Sequence, residues 1–164
     1  MKDTPAWPGF TLIELLAVVA LLAIITGVLT LIASQLFSVP LQGNAQMNVD
    51  NDLRLTSLWI TQDGNQAWRF TPGSAPIYGT FAITRTDTST ATVTYRYDSG
   101  ALWRDVQSGG NTDTARIARH IAQQNDVIFT TRDAWVTVGI TATSGTGNNQ
   151  IAGHQVFTVT MRVE

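Results

Sequence analysis

The sequence predicts an α+β fold in which one long N-terminal helix, first apolar and then amphipathic, packs on an antiparallel β-sheet domain. Three observations carry that prediction. No charged residue interrupts the run from Leu15 to Ala33. Apolar side chains then recur at roughly helical spacing between Ala45 and Gln62. From residue 64 onward, apolar and polar residues alternate with a period of two, in stretches divided by Gly-, Asn- and Ser-containing turns.

Residues 1–9 contain two prolines and one basic side chain, Lys2, and so suit neither a helix nor a membrane segment. The character changes at Phe10. As a helix, the run Leu15 to Ala33 reaches roughly 28 Å, close to the hydrocarbon thickness of a bilayer, about 30 Å. An ordinary secretory signal has an apolar core of about 7–15 residues and then a small-residue cleavage site. Here the core is longer and no convincing site follows it. A plain single-span anchor fits the length but leaves Glu14 unexplained, because an ionised carboxylate at the start of a span is costly unless paired.

The string Gly9-Phe10-Thr11-Leu12-Ile13-Glu14 resembles the processing motif of type IV pilins and type II secretion pseudopilins. The resemblance implies a pilin-like fold and cleavage by a prepilin peptidase between Gly9 and Phe10, with methylation of the new Phe10 amine. It also implies that Glu14 pairs with the N-terminal amine of a neighbouring subunit during assembly. Physical chemistry agrees with that role, since a fixed cation makes a desolvated carboxylate tolerable. The leader departs from the usual pattern in having Pro8 before Gly9, where a basic residue is common, and Asp3 offsets Lys2. Orientation follows from the cations: Lys2 precedes the span and none follows before Arg54, which places the N-terminus in the cytoplasm. The expected organisation is a leader at 1–9, an apolar transmembrane and assembly helix at 10–37, an amphipathic continuation at 38–63 and a β domain at 64–164. The implied location is the inner membrane, with the C-terminal domain exported and later built into a filament.

Gly27, Pro40 and Gly43 are places where the helix could bend, with a loop at Pro40–Asn44 between two helices as the alternative. In the continuation, Met47, Val49, Leu53, Leu58, Trp59 and Ile60 form the expected sheet-facing side, and Asp50, Asp52 and Arg54 the other. Asp63-Gly64-Asn65 supplies a stop. Ile77, Phe81 and Ile83 suggest a strand, and Val93, Tyr95 and Tyr97 mark the next. Asp98-Ser99-Gly100 then turns the chain into Ala101–Val106 as a hairpin. The segment 115–122 reads equally as a short helix or an edge strand. Val127–Phe129 looks buried, and Trp135 is expected in the core. Val136, Val138 and Ile140 alternate in one strand, and Phe157, Val159, Met161 and Val163 in the last. A Gly- and Asn-rich loop from Ser144 to Gly153 is expected between them.

The run from Tyr95 to Arg104 is similar to a hairpin of W-type minor pilins and J-type minor pseudopilins. The segments 116–121, 127–129 and 135–140, and the Asp52-Leu53-Arg54 step, fit the same pattern. That similarity implies a minor subunit of the complex that primes filament assembly, and Glu14 argues against the pseudopilin class that lacks this carboxylate. The implied partners are other pilin or pseudopilin subunits, the prepilin peptidase and methyltransferase, the inner-membrane assembly platform and membrane lipid. A DNA-uptake pseudopilus component that binds DNA, or a major pilin, is the alternative.

Composition narrows the remaining classes. The formal charge is −2 and the arginines are scattered between Arg54 and Arg162, which argues against a broad nucleic-acid surface. Without cysteine there can be no disulfide, thiolate metal site or thiol nucleophile. His120 and His154 lie far apart with no metal-ligand spacing, and Asp63-Gly64-Asn65 lacks the alternating acids of a calcium loop. Gly109–Gly110 and Ser144–Gly147 lack the lysine of a phosphate loop and read as turns. Trp68 and Trp103 are open to a partner-binding or core role. No catalytic residue, cofactor or metal is expected, and the chain does not read as an enzyme.

Overall fold

The computed structural model describes residues 11–84 and 89–162, apart from the side chains of Phe37 and Ser38. The chain divides into two units, Met1–Pro40 and Leu41–Glu164. Helix α1 covers Leu12–Gln66, 55 residues.

In the first unit every described side chain is exposed. This part of α1 is long and apolar enough to cross a membrane by length and composition. The helix is unbroken through Pro40 and Gly43, so the alternative of a dividing loop at 40–44 is not observed. Proline removes one backbone donor, and the flanking turns carry the helix across that gap.

In the second unit, α1 continues to Gln66, and Asp63-Gly64-Asn65 lies within its last turns instead of ending it. Eight strands follow: β1 (Ala67–Pro72), β2 (Ile77–Thr84), β3 (Thr90–Asp98), β4 (Ala101–Ser108), β5 (Asn111–Ala118), β6 (Val127–Arg132), β7 (Trp135–Ser144) and β8 (Ile151–Thr160). Strands β1 to β5 form one antiparallel sheet in chain order, and β6, β7 and β8 a second. The α+β class therefore holds, with two sheets in place of one. The β3–β4 hairpin turns at Ser99 and Gly100, whose φ angles of 51° and 78° put both in the left-handed region, the turn geometry that matches the right-handed twist of the flanking strands. The undecided segment at 115–122 is the end of edge strand β5, followed by an irregular stretch. Strand β8 begins at Ile151, so the loop expected from Ser144 to Gly153 is shorter at both ends. Strand β1 has no counterpart in the sequence reading; its burial pattern lacks strict alternation.

The helix face that meets the sheets departs from expectation in a telling way. Its buried side chains are Ala45, Val49, Asp52, Thr56, Ile60 and Asp63, followed by Ala67 at the start of β1. They recur every three or four residues, which defines one helical stripe. Met47 and Leu58 fall off that stripe and are 70% and 59% exposed. Asp52, expected on the solvent side, is buried. Two close approaches show how near the stripe lies to the sheets. A Cβ on Gly153 would come within 2.5 Å of Val49, and one on Gly64 within 2.4 Å of Val159. Glycine at these positions lets helix and strand backbones approach.

Between the sheets, Phe70, Phe81, Tyr95 and Phe129 form an aromatic cluster, with Phe70 and Phe81 centroids 4.6 Å apart and Phe81 edge-on to Tyr95 at 5.9 Å. Such pairs add about 0.5–1.5 kcal/mol beyond their area. Trp135 is not core but 52% exposed. In β7 the buried residues are Val136, Val138, Ile140, Ala142 and Ser144, and strand alternation turns Trp135 to the opposite face. In the same way Val127 is buried and Phe129 half-buried, whereas Ile128 between them is exposed. Val159 and Met161 are buried and Phe157 half-buried as alternation requires; Val163 lies outside the described residues.

Candidate functional site

The N-terminal segment begins the candidate site. Gly9 and Phe10 lie outside the described residues. Thr11 and Glu14 do not. The Glu14 Oε2 accepts from the Thr11 backbone N–H at 3.1 Å and from the Thr11 hydroxyl at 3.0 Å, and the Glu14 N–H donates to Thr11 Oγ1 at 3.4 Å. This is the reciprocal threonine–glutamate cap of a helix N-terminus, which satisfies donors that the first turn leaves open. Along the apolar run, the Thr26, Thr30 and Ser34 hydroxyls donate to the carbonyls of Leu22, Thr26 and Leu31 at 2.7–2.8 Å. Their polar hydrogens are thereby satisfied within the helix, which an apolar surrounding demands.

Two polar clusters fix the second half of the helix to the sheets. At Asp63, Arg104 on β4 makes a two-pronged contact, Nε to Oδ2 at 2.7 Å and Nη2 to Oδ1 at 2.6 Å. The Tyr95 hydroxyl on β3 donates to the same carboxylate. Burial first, and the Asp63 charge second, push the Tyr95 hydroxyl well above its ordinary pKa. Burial works against the Arg104 charge, but the hydrogen bonds and charge of Asp63 outweigh it and raise the guanidinium's pKa. Arg104 also lies over the Trp59 ring at 4.6 Å, a cation–π contact. Beside this cluster opens a cleft of about 440 Å³ edged by Trp59, Gln62, Gln66, Asn111 and Asp113. Three hydrogen bonds, two to Oδ2 and one to Oδ1, engage both oxygens of Asp63, so the carboxylate serves as a clamp between helix and strands.

At Asp52, Oδ2 accepts from the backbone N–H groups of Arg119 and His120, both at 2.8 Å, and lies 2.9 Å from His120 Nδ1. His154 has a different partner, its Nδ1 being 3.1 Å from Thr141 Oγ1. Among the described residues, no three His, Cys, Asp or Glu side chains converge as a metal site. On the outer face of the first sheet, Trp103 sits between the guanidinium groups of Arg96 at 5.4 Å and Arg116 at 5.6 Å.

Sequence reasoning locates Glu14 correctly at the start of the helix but misses the two aspartate clamps. The available signal is positional. Asp52 and Asp63 fall on the same three- and four-residue spacing as Val49, Thr56 and Ile60, so a seam drawn by position rather than polarity includes them. No protein-family model matches the chain, and neither a curated protein nor a solved structure matches it.

Proposed function

We propose that the chain is a type IV pilin-like assembly subunit, cleaved between Gly9 and Phe10 and held in the inner membrane until it joins a pilus or pseudopilus. The observation that carries this reading is the Gly9-Phe10-Thr11-Leu12-Ile13-Glu14 motif leading directly into a charge-free apolar helix. The physical reason lies in Glu14. Cleavage creates an amine at Phe10, about one helical turn from that carboxylate, and a neighbouring subunit's amine neutralises it where burial of a lone charge is costly. The combination of a long N-terminal helix with an antiparallel sheet domain supports a pilin-like fold. The Tyr95–Arg104 hairpin, seen as β3 and β4, supports a minor subunit that helps to prime assembly. In this reading the partners are other subunits of the same filament, the peptidase that processes the leader and the inner-membrane assembly platform.

The test uses cells that contain an active prepilin peptidase. Intact-mass analysis of the membrane protein should show loss of residues 1–9 and one added methyl group. A Gly9→Val variant should accumulate with the leader attached. A Glu14→Ala variant should be processed normally yet stay out of sheared filaments. Retention of the leader in the unaltered chain would overturn the proposal.

A further inference from the structure

The cleft of about 440 Å³ beside Asp63 has two walls. One is the end of α1, where Trp59, Gln62, Asp63 and Gln66 recur at three- and four-residue spacing and so share one side of the helix. The other is the β4–β5 hairpin, whose register pairs Val106 with Asp113 and Ser108 with Asn111. Alternation along each strand puts these residues on the same sheet face as Arg104, the face that meets Asp63 at 2.7 Å and 2.6 Å. Ile83 and Val106 add apolar lining.

The walls are fixed before any ligand arrives. Asp63 holds Arg104 by two hydrogen bonds, Arg104 lies over the Trp59 ring at 4.6 Å, and the hairpin is bonded strand to strand. By contrast, the side chains of Gln62, Gln66, Asn111 and Asp113 make no hydrogen bond or ion pair among the described residues. Exposed polar groups without partners are ordinary on a protein surface. These are set apart by their placement on both walls of one cleft, with a tryptophan among its lining residues.

The Asp63 and Arg104 charges offset each other, and Asp113 is the charge that remains, so nothing in the cleft favours an anion. An amide offers a donor and an acceptor side by side, and a carboxylate accepts from more than one hydroxyl. That set suits a ligand whose hydroxyls both donate and accept. An aromatic wall suits one that also has an apolar, C–H-lined ring face. The volume lies in the range of small-molecule sites, about 300–1,000 Å³, which combine apolar and aromatic lining with a few polar groups.

We propose that this cleft is a binding site for an uncharged saccharide. The sugar ring packs on Trp59, while Gln62 and Gln66 from the helix and Asn111 and Asp113 from the hairpin bond its hydroxyls. The site stands apart from the N-terminal motif, and its test does not depend on leader processing.

The full chain, labelled with nitrogen-15 in phosphocholine micelles that carry no sugar headgroup, is titrated separately with maltose, lactose and N,N′-diacetylchitobiose. With at least one of them, the expected result is a saturable shift of the Trp59 indole N–H and of the Gln62 and Asn111 side-chain amides. Gln62→Ala and Asn111→Ala, one on each wall, should each weaken binding about fivefold, the loss of one ordinary hydrogen bond. Both positions are exposed, so the variants should keep the remaining amide spectrum. Asn51→Ala, a control at an exposed helix position outside the cleft, should leave binding unchanged. Three results would overturn the proposal: no saturable shift with any of the three sugars, saturable shifts that spare the cleft signals, or binding as tight in both wall variants as in the parent.

Discussion

Replacing Asp63 by Asn tests whether the clamp between α1 and strands β3 and β4 stabilises the second unit. Asn keeps the shape and one acceptor but removes the charge. Arg104, whose side chain is 12% exposed, would then keep its charge with no carboxylate opposite, while Asp63 itself is 3% exposed. Breaking one partner of a buried pair costs about 3–5 kcal/mol. The neighbouring cleft gives Arg104 some access to water, which points to the lower end, about 3 kcal/mol. Against a typical domain stability of about 5–15 kcal/mol, that is a large fraction. Arg104→Met is the harsher change, because it leaves the more deeply buried carboxylate with no cation and only the Tyr95 hydroxyl as partner.

Urea unfolding of the full chain in micelles, followed by tryptophan emission, reads the loss, since Trp59 lies under the Arg104 guanidinium. Coincidence with a second probe is needed before free energies are extracted. In the double variant Asp63→Asn with Arg104→Met, the loss should fall short of the sum of the two single losses by about 1–3 kcal/mol, the coupling expected of contacting residues. A loss below about 1 kcal/mol for Asp63→Asn, with strict additivity in the cycle, would refute the clamp.

Two further predictions follow from the core. The raised pKa of Tyr95 means that above the unfolded value, about 10, the unfolded chain releases a proton that the folded chain keeps. Stability should therefore be complete below that pH and fall on going higher, by about 1.4 kcal/mol per pH unit from this group. Tyr78, raised by burial and then by the charges of Tyr97 and Asp126, adds to the slope, and Tyr95→Phe should remove its own share, as read by urea unfolding from pH 9 to 11.5. Gly153→Val should cost about 1–3 kcal/mol by overpacking, because even a Cβ there meets Val49 and Leu53 at 2.5 Å and 3.0 Å; Val49→Ala in the same chain should recover part of the loss in the same assay.

The parts of the fold that are legible in the sequence are those whose signal is local. The β3–β4 hairpin is written in adjacent residues, with alternation on both sides of Ser99-Gly100. The N-terminal motif is contiguous, so its candidate role needs no tertiary information. Trp135 is misjudged when size and apolarity are weighed above strand parity; one residue of register, set by Val136, decides its face.

Asp52 and Asp63 are harder for a different reason. An aspartate on a helix belongs to the solvent side unless its donors are known, and those donors are 67 and 41 residues away in the chain. A seam made only of Ala45, Val49, Thr56 and Ile60 is small and aliphatic, and sliding it by one turn against the sheets would exchange one set of dispersion interactions for a similar one. The two carboxylates are about three helical turns apart, and each answers to different donors: backbone amides at Arg119–His120 and the Arg104 fork with the Tyr95 hydroxyl. A slip of either would leave a buried charge without partners, a cost that no rearranged aliphatic packing offsets. Polarity within the seam thus selects one register, and the same bonds that exclude a slip also pin the loop from which Arg119 and His120 project.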